Sequence, residues 1–462
     1  MKTRNSESWQ PDRRTLLAGL TSGLGLLALR GLAGAAPVQE GPLSAKAPMF
    51  AARAKRVIFL CMEGAPSHVD TFDYKPELSA NTGKTLSGYR RGAKLLGSPW
   101  KFNQHGKSGL WISELFPHVA EHADDMCLLR GMHTDLPAHP QAQTMLHTGS
   151  IQFVRPSFGS WLLYGLGTEN DNLPGFVTIN PPQGRAQYYG SAFLPATFQG
   201  MRIGTQGGRA RRGAEEPVED IKNPRQDDKL QRKQLDLVQK LNRSYDKREK
   251  GDDEIQAVVD SYELAYRMQA ELPTVMDLSK VSDSEQKAYG LGQESTDNFA
   301  RQCLTALHLA KAGVRFIQLN AGGWDTHRNM REDLANACEA VDRPIGALLA
   351  ALKRERMLDD TLVLWGGEFG RTPYAQGEDG RDHNNRGFTM WMAGGGVKGG
   401  LSHGSTDELG IEAAEGRLSM HDLHATMLHL LGIDHERLTF NYAGRDFRLT
   451  DVHGVVAKEI LG

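Results

Sequence analysis

Aspartate, glutamate and histidine recur in short groups, each beside an apolar run of the chain. His68, Asp70 and Asp73 follow the run Arg56-Val57-Ile58-Phe59-Leu60-Cys61-Met62. Asp325 and His327 stand in Gly322-Gly323-Trp324-Asp325-Thr326-His327, just after Val314 to Leu319. Glu368 and Arg371 follow Thr361 to Trp365, and Asp382-His383 precede Phe388 to Ala393. A divalent transition metal coordinates carboxylate oxygens and neutral imidazole nitrogens delivered from several rigid segments. This mixed set favours zinc, manganese or iron over the all-oxygen cage of calcium. Such an ion can hold the oxyanion of a phosphate or sulfate ester and activate the attacking oxygen. A single Asp or His in a loop is ordinarily a turn former or a cap, so only convergence from separate elements raises these groups to a site. Arg371 and Arg381 suit an anion clamp and loop salt bridges equally. His133, His424 and His429 read as polar residues satisfied within the fold.

The apolar runs belong to a repeating strand–loop–helix pattern. Arg56 to Met62, Met126 to Leu129, Val314 to Leu319, Thr361 to Trp365 and Phe388 to Ala393 read as strands. Helices are expected over Asn298 to Ala312, Leu334 to Leu352 and Asp422 to Leu431, with Gly313 and Gly432 closing the first and last. This order implies an α/β fold, a mostly parallel sheet sandwiched by helices, in which ligands sit beyond the carboxyl ends of the strands. From Gly204 the composition turns to Arg, Lys, Asp, Glu and Gln, which predicts a charged helical insertion over 204–290.

Arg13-Arg14-Thr15-Leu16-Leu17 opens a Gly-rich apolar stretch that ends in Ala33-Gly34-Ala35-Ala36. That pattern predicts a twin-arginine signal peptide over 1–36, a linker over 37–55 and a domain over 56–462. The mature protein is then expected in the periplasm or outside the cell, with no transmembrane segment. The 54 basic residues against 56 acidic ones exclude a general nucleic-acid or anionic-lipid surface. Cys61, Cys127, Cys303 and Cys338 lack zinc-type spacing and are expected to be buried thiols.

Met62-Glu63-Gly64-Ala65-Pro66-Ser67-His68-Val69-Asp70-Thr71-Phe72-Asp73, Gly322 to His327, Gly367 to Thr372, Gly380-Arg381-Asp382-His383 and Gly394 to Gly400 together resemble the DUF1501 family. That family is grouped with the alkaline phosphatase and sulfatase superfamily. The resemblance implies an exported metal-dependent hydrolase acting on an anionic small-molecule or polysaccharide ester, without nucleic-acid partners. It implies a divalent metal, zinc first, held by Asp70 (or Glu63), Asp325, His327, Glu368, Asp382 and His383. The stretch His139 to Gly149 is similar to the sulfatase nucleophile segment, with His139 at the nucleophile position and Thr144 as the nearest hydroxyl. His139, Thr144 and Arg371 are therefore the catalytic candidates, and His139 suits metal ligation or acid–base work equally. The pattern departs from the superfamily in the close spacing of Asp325 and His327, and in Phe369, which follows Glu368 where a ligand histidine would stand. A relative without turnover, serving as a binding or scaffold protein, is the alternative.

Overall fold

Strand β1 (Arg56–Met62) has no polar face: Ile58, Leu60 and Met62 enter one core, and Val57, Phe59 and Cys61 enter another. Such a strand is stable only inside a sheet covered on both sides. In the computed structural model the described residues are 41–86, 92–204, 228–249 and 253–462. The signal expected over 1–36 lies outside them, as do residues 37–40 of the expected linker. The chain divides into Met1–Gly41 and Pro42–Gly462, and every element below belongs to the second unit.

The companions of β1 are β2 (Met126–His133), β3 (Phe176–Ile179), β4 (Met201–Ile203), β5 (Phe316–Ala321) and β6 (Thr361–Gly366). A hairpin of β7 (Gly370–Gln376) and β8 (Gly380–Asn384) comes next, then β9 (Phe388–Ala393), β10 (Leu401–His403) and β11 (Leu418–Ser419). The central nine-stranded sheet runs β10-β2-β9-β6-β1-β5-β3-β4, with β11 also beside β2. β1 is parallel to β5 and β6, and β3 is parallel to β4 and β5. Only β9 runs against its neighbours, β2 and β6. The chain leaves β6 at the carboxyl edge, forms the β7–β8 hairpin there, and re-enters the sheet from that edge, so β9 must point the other way. The mostly parallel α/β class expected from the sequence is the one observed.

Among the helices are α1 (His68–Thr71), α2 (His139–Thr148), α3 (Phe158–Leu166), α4 (Asp228–Glu249), α5 (Asp253–Val275), α6 (Asp297–Lys311), α7 (Met330–Arg354) and α8 (Met420–Leu430). α6 and α7 cover one face of the sheet through Phe299, Leu304, Leu334 and Ile345, while α2, α3 and α8 cover the other through Leu146, Trp161 and Leu428. Ser419 and Asp422 form a reciprocal capping box that starts α8 where β11 ends. All four cysteines are buried and unpaired.

Within 204–290, α4 and α5 pair through the Arg232–Glu263 contact at 2.7 Å. The later part of that stretch is not peripheral, however. Met268, Leu272, Val281 and Tyr289 are buried in the core shared with α6 and α7. Its apolar residues fall at helical spacing among charges, so the composition alone hides a face that burial reveals.

Two histidines beneath the sheet are held neutral. His147 donates Nδ1–H to Gln143 O at 2.8 Å and accepts from the Gln318 amide at 3.0 Å. His424 donates Nε2–H to Leu146 O at 2.8 Å. Burial pulls their pKa values down to about 4 and about 3 from 6.5. The unfolded chain therefore takes up protons first, and this contribution, complete above 6.5, is lost as pH falls toward those values. The melting temperature is expected to fall between pH ~6.5 and pH ~4, less steeply in His424→Gln. Identical slopes in the two proteins would place the acid sensitivity elsewhere.

Candidate functional site

Because β1, β2, β5 and β6 are parallel, the segments that leave them meet at one edge of the sheet. The segment after β2 leads through Pro137 to His139, the first residue of α2, whose next position is the proline suited to a helix start. The segment after β5 carries Asp325 and His327, the one after β6 carries Glu368 and Phe369, and the β7–β8 hairpin carries Arg371, Gln376, Arg381 and His383. Gly64, after β1, has φ of +110°, and a Cβ there would lie 2.6 Å from the Asp325 nitrogen. Glycine is what lets the two segments touch.

His139, Asp325, His327 and His383 bring one donor atom each within 4.8 Å of one another. Asp325 Oδ1 lies 2.9 Å from His327 Nε2, 3.2 Å from His139 Nε2 and 3.4 Å from His383 Nε2. The Nε2 atoms of His327 and His383 are 3.0 Å apart. On the far side of each ring, Nδ1 faces an acceptor oxygen: Glu368 Oε1 at 2.6 Å for His139, Gln376 Oε1 at 2.5 Å for His327, and Pro137 O at 2.7 Å for His383. A ring that donates from Nδ1 presents a lone pair at Nε2. Three imidazole lone pairs and a carboxylate oxygen therefore face one another, and His139 Nε2 is buried without a hydrogen-bond partner. Lone pairs at such distances repel unless a cation or a proton lies among them, so the donor set fits a divalent ion with mixed N and O ligands.

The surroundings act on the donors in different directions. Burial works to raise the Asp325 pKa, but the hydrogen bond and charge of Arg371, then His139 and His327, hold it down at about 2. Arg371 Nη2 donates to Asp325 Oδ1 at 2.5 Å and to Gly64 O, and Nε donates to Ala65 O at 3.0 Å. Burial lowers the His139 pKa, yet the hydrogen bond and charge of Glu368, joined by Asp325, carry it above the ordinary value. His383 is lowered, first by burial. Glu368 is fully buried, and its Oε1 also accepts from Gly64 N at 3.2 Å and Gln143 Nε2 at 3.3 Å. Burial and the neighbouring Glu368 push Glu63 up to about 8.

Asp325, His327 and His383 thus lie together with His139. Glu368 stands one step out, as the acceptor behind His139. Asp70 is elsewhere: both of its oxygens are taken by Arg381, at 2.6 and 3.0 Å, and both side chains are fully buried. With Ser67 Oγ also donating to Asp70 Oδ2 at 2.5 Å, this carboxylate is a buried strut and contributes no donor atom to the cluster. Asp382 is also outside it. The β8 register shifts between Arg381 and His383, and Asp382 Oδ1 accepts from the backbone N–H of His383 at 2.9 Å. Arg371 binds Asp325 rather than lying open to an anion, and the Thr144 hydroxyl is committed to Pro140 O at 2.6 Å. Phe369 packs as a wall, its ring 4.8 Å from those of both His139 and His383. Gln376 escaped the sequence reading, because a glutamine in a hairpin carries no signal until the loop opposite is known.

The sequence model of a family described as "Protein of unknown function (DUF1501)" matches residues 54–461. No curated protein matches the sequence. Among solved structures, the lipoteichoic acid synthase LtaP from Listeria monocytogenes is 10% identical with a TM-score of 0.38, over 88% of this chain and 78% of that one. The PsFucS1 sulfatase from Pseudoalteromonas sp. is 13% identical with a TM-score of 0.36, over 92% and 73%. A protein in the alkaline phosphatase superfamily from Vibrio parahaemolyticus is 11% identical with a TM-score of 0.34, over 92% and 76%.

Two aspartates with different tasks should fail differently. Asp70→Asn is expected to cost about 3–5 kcal/mol, the usual result of unpairing a buried charge, while metal bound per folded molecule is unchanged. Asp325→Asn should lose metal and, because buried Arg371 then lacks its carboxylate partner, also lower the metal-free melting temperature. Metal content by plasma emission and thermal melts of both variants check this, and loss of metal in folded Asp70→Asn would return Asp70 to the site.

Proposed function

The chain belongs to the DUF1501 family, and we propose that it is an exported metal-dependent hydrolase of phosphate or sulfate esters. The observation that carries this reading is the convergence of three Nε2 lone pairs and Asp325 Oδ1, each imidazole held from behind by an acceptor oxygen. His139, Asp325, His327 and His383 would hold the ion, zinc before manganese or iron by the imidazole-rich donor set. When bound, a divalent ion supplies Lewis-acid polarisation of an ester oxygen and a more acidic water.

The chain's own residues prepare that chemistry. Arg371 keeps Asp325 ionised, and Glu368 holds the His139 ring with Nε2 turned inward. Asp325 is half exposed at its side chain, so the cluster opens to solvent and to a substrate anion. With the Thr144 hydroxyl bound to the helix backbone, the attacking group in this reading is water, and an anionic small molecule or polysaccharide ester is the substrate class.

A second reading, a binding or scaffold relative without turnover, is favoured by Phe369 filling the wall beside His139 and His383. The two readings separate in one assay. Protein loaded with Zn(II), Mn(II) or Fe(II) is expected to hydrolyse an aryl phosphate or an aryl sulfate, and a chelator should abolish turnover. Metal uptake with no turnover on either ester class selects the binding reading, and no uptake of any of these ions overturns both metal assignments.

Export is proposed to follow the twin-arginine route, on the strength of Arg13-Arg14 before a short, Gly-interrupted apolar stretch. Among the described residues no helix is long and apolar enough to cross a membrane. Arg13→Lys combined with Arg14→Lys is expected to retain the protein inside the cell. Unchanged export of that double variant, followed by fractionation, would point to the general secretory route.

A further inference from the structure

The histidines of the cluster are steadied by three different kinds of acceptor. His383 leans on the main-chain carbonyl of Pro137, and His139 leans on the buried carboxylate of Glu368. His327 alone leans on an amide side chain, that of Gln376, which comes from a different element. A carbonyl or a carboxylate can only accept from Nδ1, whereas an amide can turn either end toward the ring. The tautomer of His327, and with it the direction of its lone pair, therefore depends on which end of Gln376 meets Nδ1.

The hairpin that carries Gln376 is docked closely along the His327 loop. Gln376 is the last residue of β7 and pairs directly with Gly380 of β8. Beside it, the N–H of Arg381 donates to Thr326 O at 3.1 Å, and the N–H of Asn329 donates to Asp379 Oδ1 at 3.1 Å. A Cβ at Gly380 would fall 1.8 Å from His327 O, so the hairpin lies against the very residue whose ring it braces. The contacts flank His327 on both sides in sequence, and Gln376 adds a bond to its ring at Nδ1.

We propose that Gln376 is a positioning residue for the metal centre: its Oε1 accepts from His327 Nδ1–H and so turns the Nε2 lone pair toward Asp325 and His383. This rests on the metal reading above. It assigns Gln376 no contact with metal or substrate. An apolar residue of similar size would leave Nδ1 without its acceptor, the ring free to rotate and Nε2 free to hold the proton instead. Loss of such an outer partner typically weakens metal binding by roughly tenfold to a hundredfold.

The test compares wild type, Gln376→Leu and Gln376→Glu by Zn(II) affinity in competition with a chromophoric chelator, by the visible spectrum of the Co(II) form, and by melting with and without metal. Gln376→Leu is expected to bind Zn(II) at least about tenfold more weakly, to shift the Co(II) bands and to keep its metal-free melting temperature. Gln376→Glu, which can only accept, is expected to restore the affinity. Wild-type affinity in Gln376→Leu would overturn the assignment while leaving the metal centre intact. Gln376→Glu binding as weakly as Gln376→Leu would overturn the acceptor role, as would a metal-free melting temperature lowered in step with affinity in both variants. Failure of the wild type itself to bind Zn(II) or Co(II) would overturn the metal reading, and this inference with it.

Discussion

Two buried guanidinium groups on one hairpin hold the ligand edge of this molecule together. Arg371 of β7 reaches the carbonyls of Gly64 and Ala65 and the carboxylate of Asp325, while Arg381 of β8 grips Asp70 and the carbonyls of Leu96 and Thr372. Both side chains are fully buried. An uncompensated guanidinium there would cost several kcal/mol, so the segments that supply these oxygens are obliged to stay where they are. The segment after β1, the segment after β5 and the hairpin are thereby tied to one another, although the Arg381–Asp70 partners are 311 residues apart and the Arg371–Asp325 partners 46. Stability and site geometry share these bonds.

The parallel sheet and the hairpin divide the work. Parallel strands bring their carboxyl ends to one edge at no local cost, because each crossover helix returns the chain to the opposite edge before the next strand begins. That brings Asp325, His327, Glu368 and His139 into one neighbourhood, but a neighbourhood is several ångströms wide. The hairpin narrows it. It contributes His383 directly, braces His327 through Gln376 and fixes Asp325 through Arg371. A long excursion at the ligand edge also explains why β9 re-enters the sheet against the direction of its neighbours.

Electrostatically the site is poised around a cation. Arg371 holds Asp325 ionised far below neutral pH, and Glu368 sets a negative charge behind His139. Phe369 closes the wall between the His139 and His383 rings, adding an apolar surface in place of another donor. Glu63, raised to about 8 by burial and by Glu368, spares the interior a second full negative charge near neutral pH. The result is a compact set of inward lone pairs, open to solvent at Asp325.

Much of this was legible without coordinates. Apolar runs such as Arg56 to Met62 determine buried strands, their alternation with amphipathic helices determines a mostly parallel sheet, and parallel strands place the acids and histidines after them at one edge. What tertiary structure alone decided is the task of each polar residue. Asp70 and Asp325 are alike in type and in standing after a strand, yet one is a strut gripped at both oxygens by Arg381, while the other shares its Oδ1 between Arg371 and three imidazoles. Gln376 and Pro137 gain their meaning in the same way, from a histidine nitrogen within hydrogen-bond range. Apolar burial follows a periodicity written along the chain, whereas a hydrogen bond depends on a lone pair and a donor meeting at about 3 Å from segments far apart in sequence, and that separation is settled only when the hairpin packs.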